Sequence, residues 1–320
     1  MTKRDPDQAE EANDYDDSIP AFGYHLQPVV GLGGSAGGIQ ALKVFFESMP
    51  HDSGLAFVVV MHLSPEHEST LAELLQRSTK MEVVQVTATV TMEPDKVYVI
   101  PPRLALKAAG DQLELQEMPS ERGRHVAVDL FFRTLADTHG PHAAAVVLSG
   151  ADGDGAIGIK RIKERGGLTI AQDPEEAEHT GMPRTAISTG MVDWVLPVSD
   201  MPGRLLDYFR LETNLKLPPE DGPQPAQPVR APISADEASL RDVLTFLRTR
   251  TGRDFSYYKR ATILRRIGRR MQVNSVQDLP DYLNCLRTRP GETGALLQDL
   301  LISVTNFFRD ADCYAALEKE

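Results

Sequence analysis

The stretch "VVGLGGSAGGIQAL", residues 29–42, runs from an apolar segment through glycines around a single serine into an amphipathic pattern. Val29 to Leu32 reads as a β-strand, and Ile39, Leu42, Phe46 and Met49 recur at helical spacing just beyond it. Gly33, Ser35 and Gly37 therefore satisfy G-x-S-x-G at a strand-to-helix turn, the setting that lifts a serine as a nucleophile. The same glycines would also bring backbone N–H groups and a helix N-terminus up to a phosphate. The segment alone does not separate these two readings.

Working outward, "GLAFVVVMH" (54–62) supplies a second, fully apolar strand, which completes a βαβ unit. "VVQVT" and "KVYVIPP" read as strands, and "LALKAAGDQLELQE" alternates around Gly110 and Asp111 as a hairpin. "VDLFFRTLADTHG" reads as a helix, "AAAVVLSG" as a buried strand, "AIGIKRIKERGG" as a helix stopped by glycine and "LTIAQD" as a further strand. The expected fold is α/β: a doubly wound, mostly parallel sheet with helices on both faces and an antiparallel edge hairpin. Prolines crowd residues 218–232, so 212–236 is expected to be an extended linker. Four helix-like segments follow, which predicts a small all-α domain over 237–320.

Functional groups in open α/β sheets collect beyond the carboxyl ends of the strands. His62 directly follows the second apolar strand, and Asp154 leaves the "AAAVVLSG" strand through the glycine-rich turn "SGADGDG". With Ser35 these provide a hydroxyl, an imidazole to take its proton and a carboxylate to orient the imidazole. Asp152 competes with Asp154, and either is a natural cap for the helix beginning near Ala156. His67, His125, His139, His142 and His179 are the rival histidines.

The formal net charge of -12 argues against a general nucleic-acid binder. Seven acidic residues fall within the first 17, making 1–27 an expected disordered acidic tail. Neither a signal-peptide core nor a membrane-length apolar run is visible, so a cytoplasmic protein without membrane insertion is expected. Cys285 and Cys313 lie far from any histidine cluster, and no metal site is expected.

"GGSAGG", "MHLSP" and "SGADGDG", with "VYVIPP", "VDLFFRTLA" and "AQDPEEAEHTGMPRTAISTGMVDWVLP", resemble in order the CheB-type protein-glutamate methylesterases. The resemblance covers about 28–211. It implies Ser35 as nucleophile, His62 as general base and Asp154 as the orienting carboxylate, acting on glutamate γ-methyl esters of a methyl-accepting chemoreceptor or similar signalling protein, with glutamine deamidation as a second activity. Ala36, Ala151 and Met182 become candidates for the oxyanion hole or substrate contact. No cofactor is implied. Ala36, Met61, Ala151 and Asp152 depart from the family's usual residues. The order Ser, His, Asp excludes an ordinary α/β-hydrolase, and the absence of a lysine after "GGSAGG" makes a P-loop the minor reading. A catalytically silent, CheB-like sensor or scaffold is the alternative.

The first 27 residues are too short for the receiver domain of chemotaxis methylesterases, so receiver control is not expected within this chain. "YKRATILRRIGRRM" and "SVTNFFRD" resemble the N-terminal helical domain of CheR-type methyltransferases. S-adenosylmethionine would enter only with a methyltransferase domain that this sequence does not contain. On the helix from Lys259 to Met271, Ile263, Ile267 and Met271 form one stripe, and Lys259, Arg265, Arg266, Arg269 and Arg270 are candidates to dock an acidic receptor helix, against the plain alternative of a solvated basic face.

Overall fold

Residue alternation in the first strand sets the architecture. The computed structural model describes residues 24–35, 37–61, 70–117, 126–219 and 234–302. The α/β part runs β1 (Val29–Gly34), α1 (Gly38–Ser48), β2 (Ala56–Met61), α2 (Leu71–Gln76), β3 (Glu82–Gln85), β4 (Val90–Thr91), β5 (Lys96–Val99), β6 (Leu104–Ala109) and β7 (Gln112–Glu117). It continues with α3 (Ala127–His139), β8 (Ala143–Val147), α4 (Ala156–Arg165), β9 (Leu168–Gln172), α5 (Gly181–Ser188), β10 (Trp194–Leu196) and α6 (Met201–Glu212). Seven strands form one sheet in the order β10-β9-β8-β1-β2-β5-β3, with every pairing parallel. The hairpin around Gly110 is present as β6 and β7, which pair antiparallel and, with β4, make a separate three-stranded sheet.

Both faces of the large sheet are covered, so its central strands β1, β2 and β8 are apolar throughout rather than alternating with polar residues. Val30 and Leu32 of β1 pack with Leu42, Phe45 and Phe46 of α1 and Leu205 of α6. The alternate residues, Val29 of β1 with Val58 and Val60 of β2, pack with Phe131 and Phe132 of α3 and Ile159 of α4. Each such side chain contributes about 1.5–3 kcal/mol by leaving water. On this second face β1 presents glycine because α3 lies directly on it: a Cβ at Gly33 would stand 2.3 Å from Val128 Cγ1, and one at Gly31 2.9 Å from Phe132 Cε1.

The helical part comprises α7 (Ala235–Thr251), α8 (Arg260–Asn274), α9 (Leu279–Thr288) and α10 (Glu292–Leu301). Ser234 caps α7 by accepting from Glu237 N–H, and Asp278 caps α9 through Asp281 N–H. Leu215 and Leu217 pack against this helical core, and Lys216 N–H donates to Gln277 O at 2.8 Å. The start of the segment read as an extended linker therefore lies ordered on the helical unit; residues 220–233 fall outside the described residues.

The expectation that the α8 arginines form a docking face is corrected for three of them. Arg266, Arg269 and Arg270 are 2%, 3% and 6% exposed, which leaves no room for a partner. Arg269 donates to Gly166 O and Gly167 O at the end of α4 and pairs with Asp193 and Asp299. Arg270 pairs with Glu292 and with Asp193, while Lys163 of α4 reaches both Asp193 and Asp299. Arg266 donates to the carbonyls of Lys163 and Glu164, and burial, followed by the Arg269 charge, pulls its pKa down to about 10. Burial disfavours a charged Asp193, but Arg269, Lys163 and Arg270 outweigh it and hold the carboxyl well below the ordinary range. A buried ionic cluster thus joins the two parts of the chain. Arg265 is half-buried and Lys259 exposed.

Candidate active site

Ser35 follows the last residue of β1, the central strand. Gly37, at φ +75°, is the N-cap of α1, and it is the glycine of the motif that occupies a left-handed turn conformation. Gly33 and Gly34 belong to the strand itself. β2 ends at Met61, in register with Gly34. His62 is the next residue in the chain; it lies outside the described residues, as do Ala36, His67, His125, Cys313 and the "TNFFRD" segment.

The chain beyond β8 is hydrogen-bonded to the serine turn. Leu148 N–H donates to Gly33 O (2.8 Å) and Ser35 N–H donates to Ser149 O (3.0 Å), which extends the β1–β8 pairing past the strand ends. Ser149 is fixed in turn, its N–H donating to Gln172 Oε1 at 2.8 Å and its hydroxyl accepting from His179 N–H at 2.9 Å. Gly150 N–H donates to His179 O (3.0 Å), and Gly150 O accepts from Met182 N–H (2.9 Å). A Cβ on Gly150 would stand 2.1 Å from Met182 Sδ and 3.1 Å from Ser35 Cβ. Met182, fully buried, thus forms a wall behind the serine loop.

Asp154, 5% exposed, is held by three backbone donors: Val128 N–H to Oδ2 (2.9 Å), and Asp129 and Gly155 N–H to Oδ1 (2.9 and 2.8 Å). It does cap a helix, but the neighbouring α3 rather than the α4 it precedes. Asp129, in the first turn of α3, reciprocates by accepting from Gly158 N–H of α4 at 2.7 Å. Burial, together with the charge of Asp154, raises the Asp129 pKa to about 6. Sequence reading missed Asp129; an acid in the first turn of a helix opposite a second acid at a loop is the signal for it. Asp152 is exposed and accepts from Asp154 N–H at 3.2 Å, so it shapes the turn. Ala151 is exposed in the same turn.

Of the rival histidines within the described residues, His139 is buried against His25, and burial followed by the His25 charge lowers its pKa to about 4. His142 pairs with Glu212. Among the described residues no group of three or more His, Cys, Asp and Glu side chains is placed to hold a metal, and no helix is long and apolar enough to cross a membrane.

A seven-stranded parallel sheet between two helical layers, with a serine turn and a buried carboxylate at the ends of adjacent strands, defines a doubly wound α/β domain. The chain belongs to the CheB methylesterase family, whose model matches residues 30–205, and residues 238–301 match the all-alpha domain of the CheR methyltransferases. A protein-glutamate methylesterase/protein-glutamine glutaminase of Pyrococcus horikoshii is 34% identical over 58% of this chain and 50% of its own length. An uncharacterized 104.1 kDa protein of Rhodobacter capsulatus is 35% identical over 78% of this chain, and the match spans 27% of that protein. The crystal structure of the Thermotoga maritima CheB methylesterase catalytic domain aligns with a TM-score of 0.52 at 29% identity, covering 56% of this chain and 97% of that domain. The chain thus spans half or less of the length of both curated relatives.

Proposed function

We propose that the chain is a protein-glutamate methylesterase acting through Ser35, His62 and Asp154. The observation that carries the reading is the hydrogen-bonded link from the Ser35 turn through Ser149 and Gly150 to the loop bearing the buried Asp154. Ser35 Oγ attacks the γ-carbonyl of a glutamate methyl ester while His62 takes its proton. His62 then protonates departing methanol, water attacks the acyl-enzyme by the same route, and the products are methanol and a glutamate carboxylate. Asp154 orients His62. The Ser35 N–H is already directed to Ser149 O, so the oxyanion donors are assigned to the N–H groups of Ala36 and Ala151, each typically worth about 10²- to 10³-fold in rate. Glutamine deamidation follows the same steps with ammonia as leaving group, and the esterase chemistry uses no cofactor. The partner is a methyl-accepting chemoreceptor or a similar methylated signalling protein.

The test is methanol release from a methyl-esterified receptor preparation by the native protein and by Ser35→Ala. Release by the native protein alone supports the reading; equal release by both ends it.

A further inference from the structure

Glu178 lies against the turn that follows Ser35. A Cβ built on Gly37 would stand 2.8 Å from Glu178 Cβ and 2.9 Å from Glu178 Oε2. The segment carrying it is pinned beside the nucleophile, because the neighbouring His179 donates its N–H to the Ser149 hydroxyl and accepts from Gly150 N–H at its carbonyl. The Glu178 side chain is nonetheless 67% exposed, and its ion-pair contact among the described residues is His179 Nε2 at 3.8 Å.

We propose that Glu178 makes the mouth of the serine site select by charge, favouring an uncharged ester or amide side chain flanked by basic residues and disfavouring acidic flanks and the carboxylate product. This rests on the esterase reading, in which hydrolysis turns a neutral side chain into an anion. A flanking charge about 6–8 Å from a largely solvated carboxylate changes affinity by about three- to tenfold at low salt, and the effect shrinks once the Debye length approaches that separation.

Binding is measured on Ser35→Ala with two peptides that carry glutamine in place of the ester, one flanked by lysines and one by glutamates. The lysine-flanked peptide is expected to bind about three- to tenfold tighter at low salt. Adding Glu178→Gln should bring the ratio toward one, whereas Glu175→Gln, an exposed acid three residues earlier, should leave it in place. A ratio near one in Ser35→Ala, a ratio that Glu178→Gln does not move, or binding of neither peptide overturns the proposal. A purely structural role for Glu178 beside the α1 N-terminus would lower thermal stability and leave the ratio unchanged. Because the readout is binding without turnover, failure of the native protein to release methanol counts against the esterase reading alone.

Discussion

Replacing Arg269 by alanine tests whether the helical unit is integral to the folded α/β domain. Arg269 donates to two carbonyls at the end of α4 and pairs with two carboxylates, Asp193 and Asp299, that are 0% and 1% exposed at the side chain. Its loss leaves Lys163 to neutralise Asp299, and Lys163 with Arg270 to neutralise Asp193, while the Gly167 carbonyl loses its charged donor. Breaking a buried pair of this kind costs about 3–5 kcal/mol, a large part of the usual 5–15 kcal/mol of a folded domain. Arg269→Lys is expected to recover less than half of the loss, because an ammonium cannot reproduce the guanidinium fork. The exposed Lys259→Ala should stay within about 0.5 kcal/mol.

The assay is urea unfolding followed by far-UV circular dichroism and by Trp194, the chain's single tryptophan, which adjoins Asp193 and has Arg204 stacked 4.3 Å from its ring centre. Coincident transitions by both probes, shifted together by Arg269→Ala, are the expected result. A loss below about 1 kcal/mol, or helices that melt separately with Trp194 undisturbed, would refute the reasoning. The native-state pKa of Asp193 lies below its unfolded value, so its contribution is present above about pH 4 and is lost as pH falls toward the depressed value.

Three further outcomes are expected. Gly150→Ala should cost about 1–3 kcal/mol and most of the turnover, since its Cβ meets Met182 Sδ at 2.1 Å; adding Met182→Ala should restore part of the stability. Asp154→Asn should cut methanol release by up to about 10⁴-fold and weaken the α3 cap by about 1 kcal/mol, whereas Asp152→Asn should change release by only a few-fold. Asp129, raised to about 6, binds a proton in the folded state between about pH 4 and 6 that the unfolded chain has released, so its contribution to stability falls as pH rises through that window. The melting temperature of Asp129→Asn relative to the native protein should accordingly be more favourable at pH 8 than at pH 4.5, and an equal offset at both would contradict this.

The parallel sheet was legible because strands buried on both faces leave uninterrupted apolar runs, and "AFVVVM" and "AAAVV" are such runs. The position of Ser35 was legible from the strand-to-helix turn. The work of Gly33 was not: in sequence it belongs to a nucleophile motif, while in the fold it makes room for Val128, a contact set by a helix almost a hundred residues away. Arg266, Arg269 and Arg270 of α8 misled for a related reason. Helical periodicity sees one helix at a time and cannot see that Asp193 and Asp299 close over Arg269 from elsewhere in the chain. The usable signal was on the acidic side, in an aspartate between apolar residues in "MVDWVL" and another inside "LLQDLLI". A carboxylate in an apolar run needs a buried counter-ion.

The cap and the catalytic carboxylate at Asp154 began as rival readings, and the hydrogen bonds make them compatible. An ionised carboxylate offers about four acceptor positions, two on each oxygen. Asp129 and Gly155 N–H fill two on Oδ1, and Val128 N–H fills one on Oδ2. In the esterase reading the same carboxylate also orients an imidazole, a role that backbone donors on both of its oxygens do not oppose. The three backbone bonds also fix the side-chain rotamer, so the carboxylate has a defined direction before any substrate binds. Holding α3 to the α4 loop and aiming the carboxylate are then one arrangement, and a substitution that loosens the α3 terminus should lower turnover even where Asp154 itself is intact.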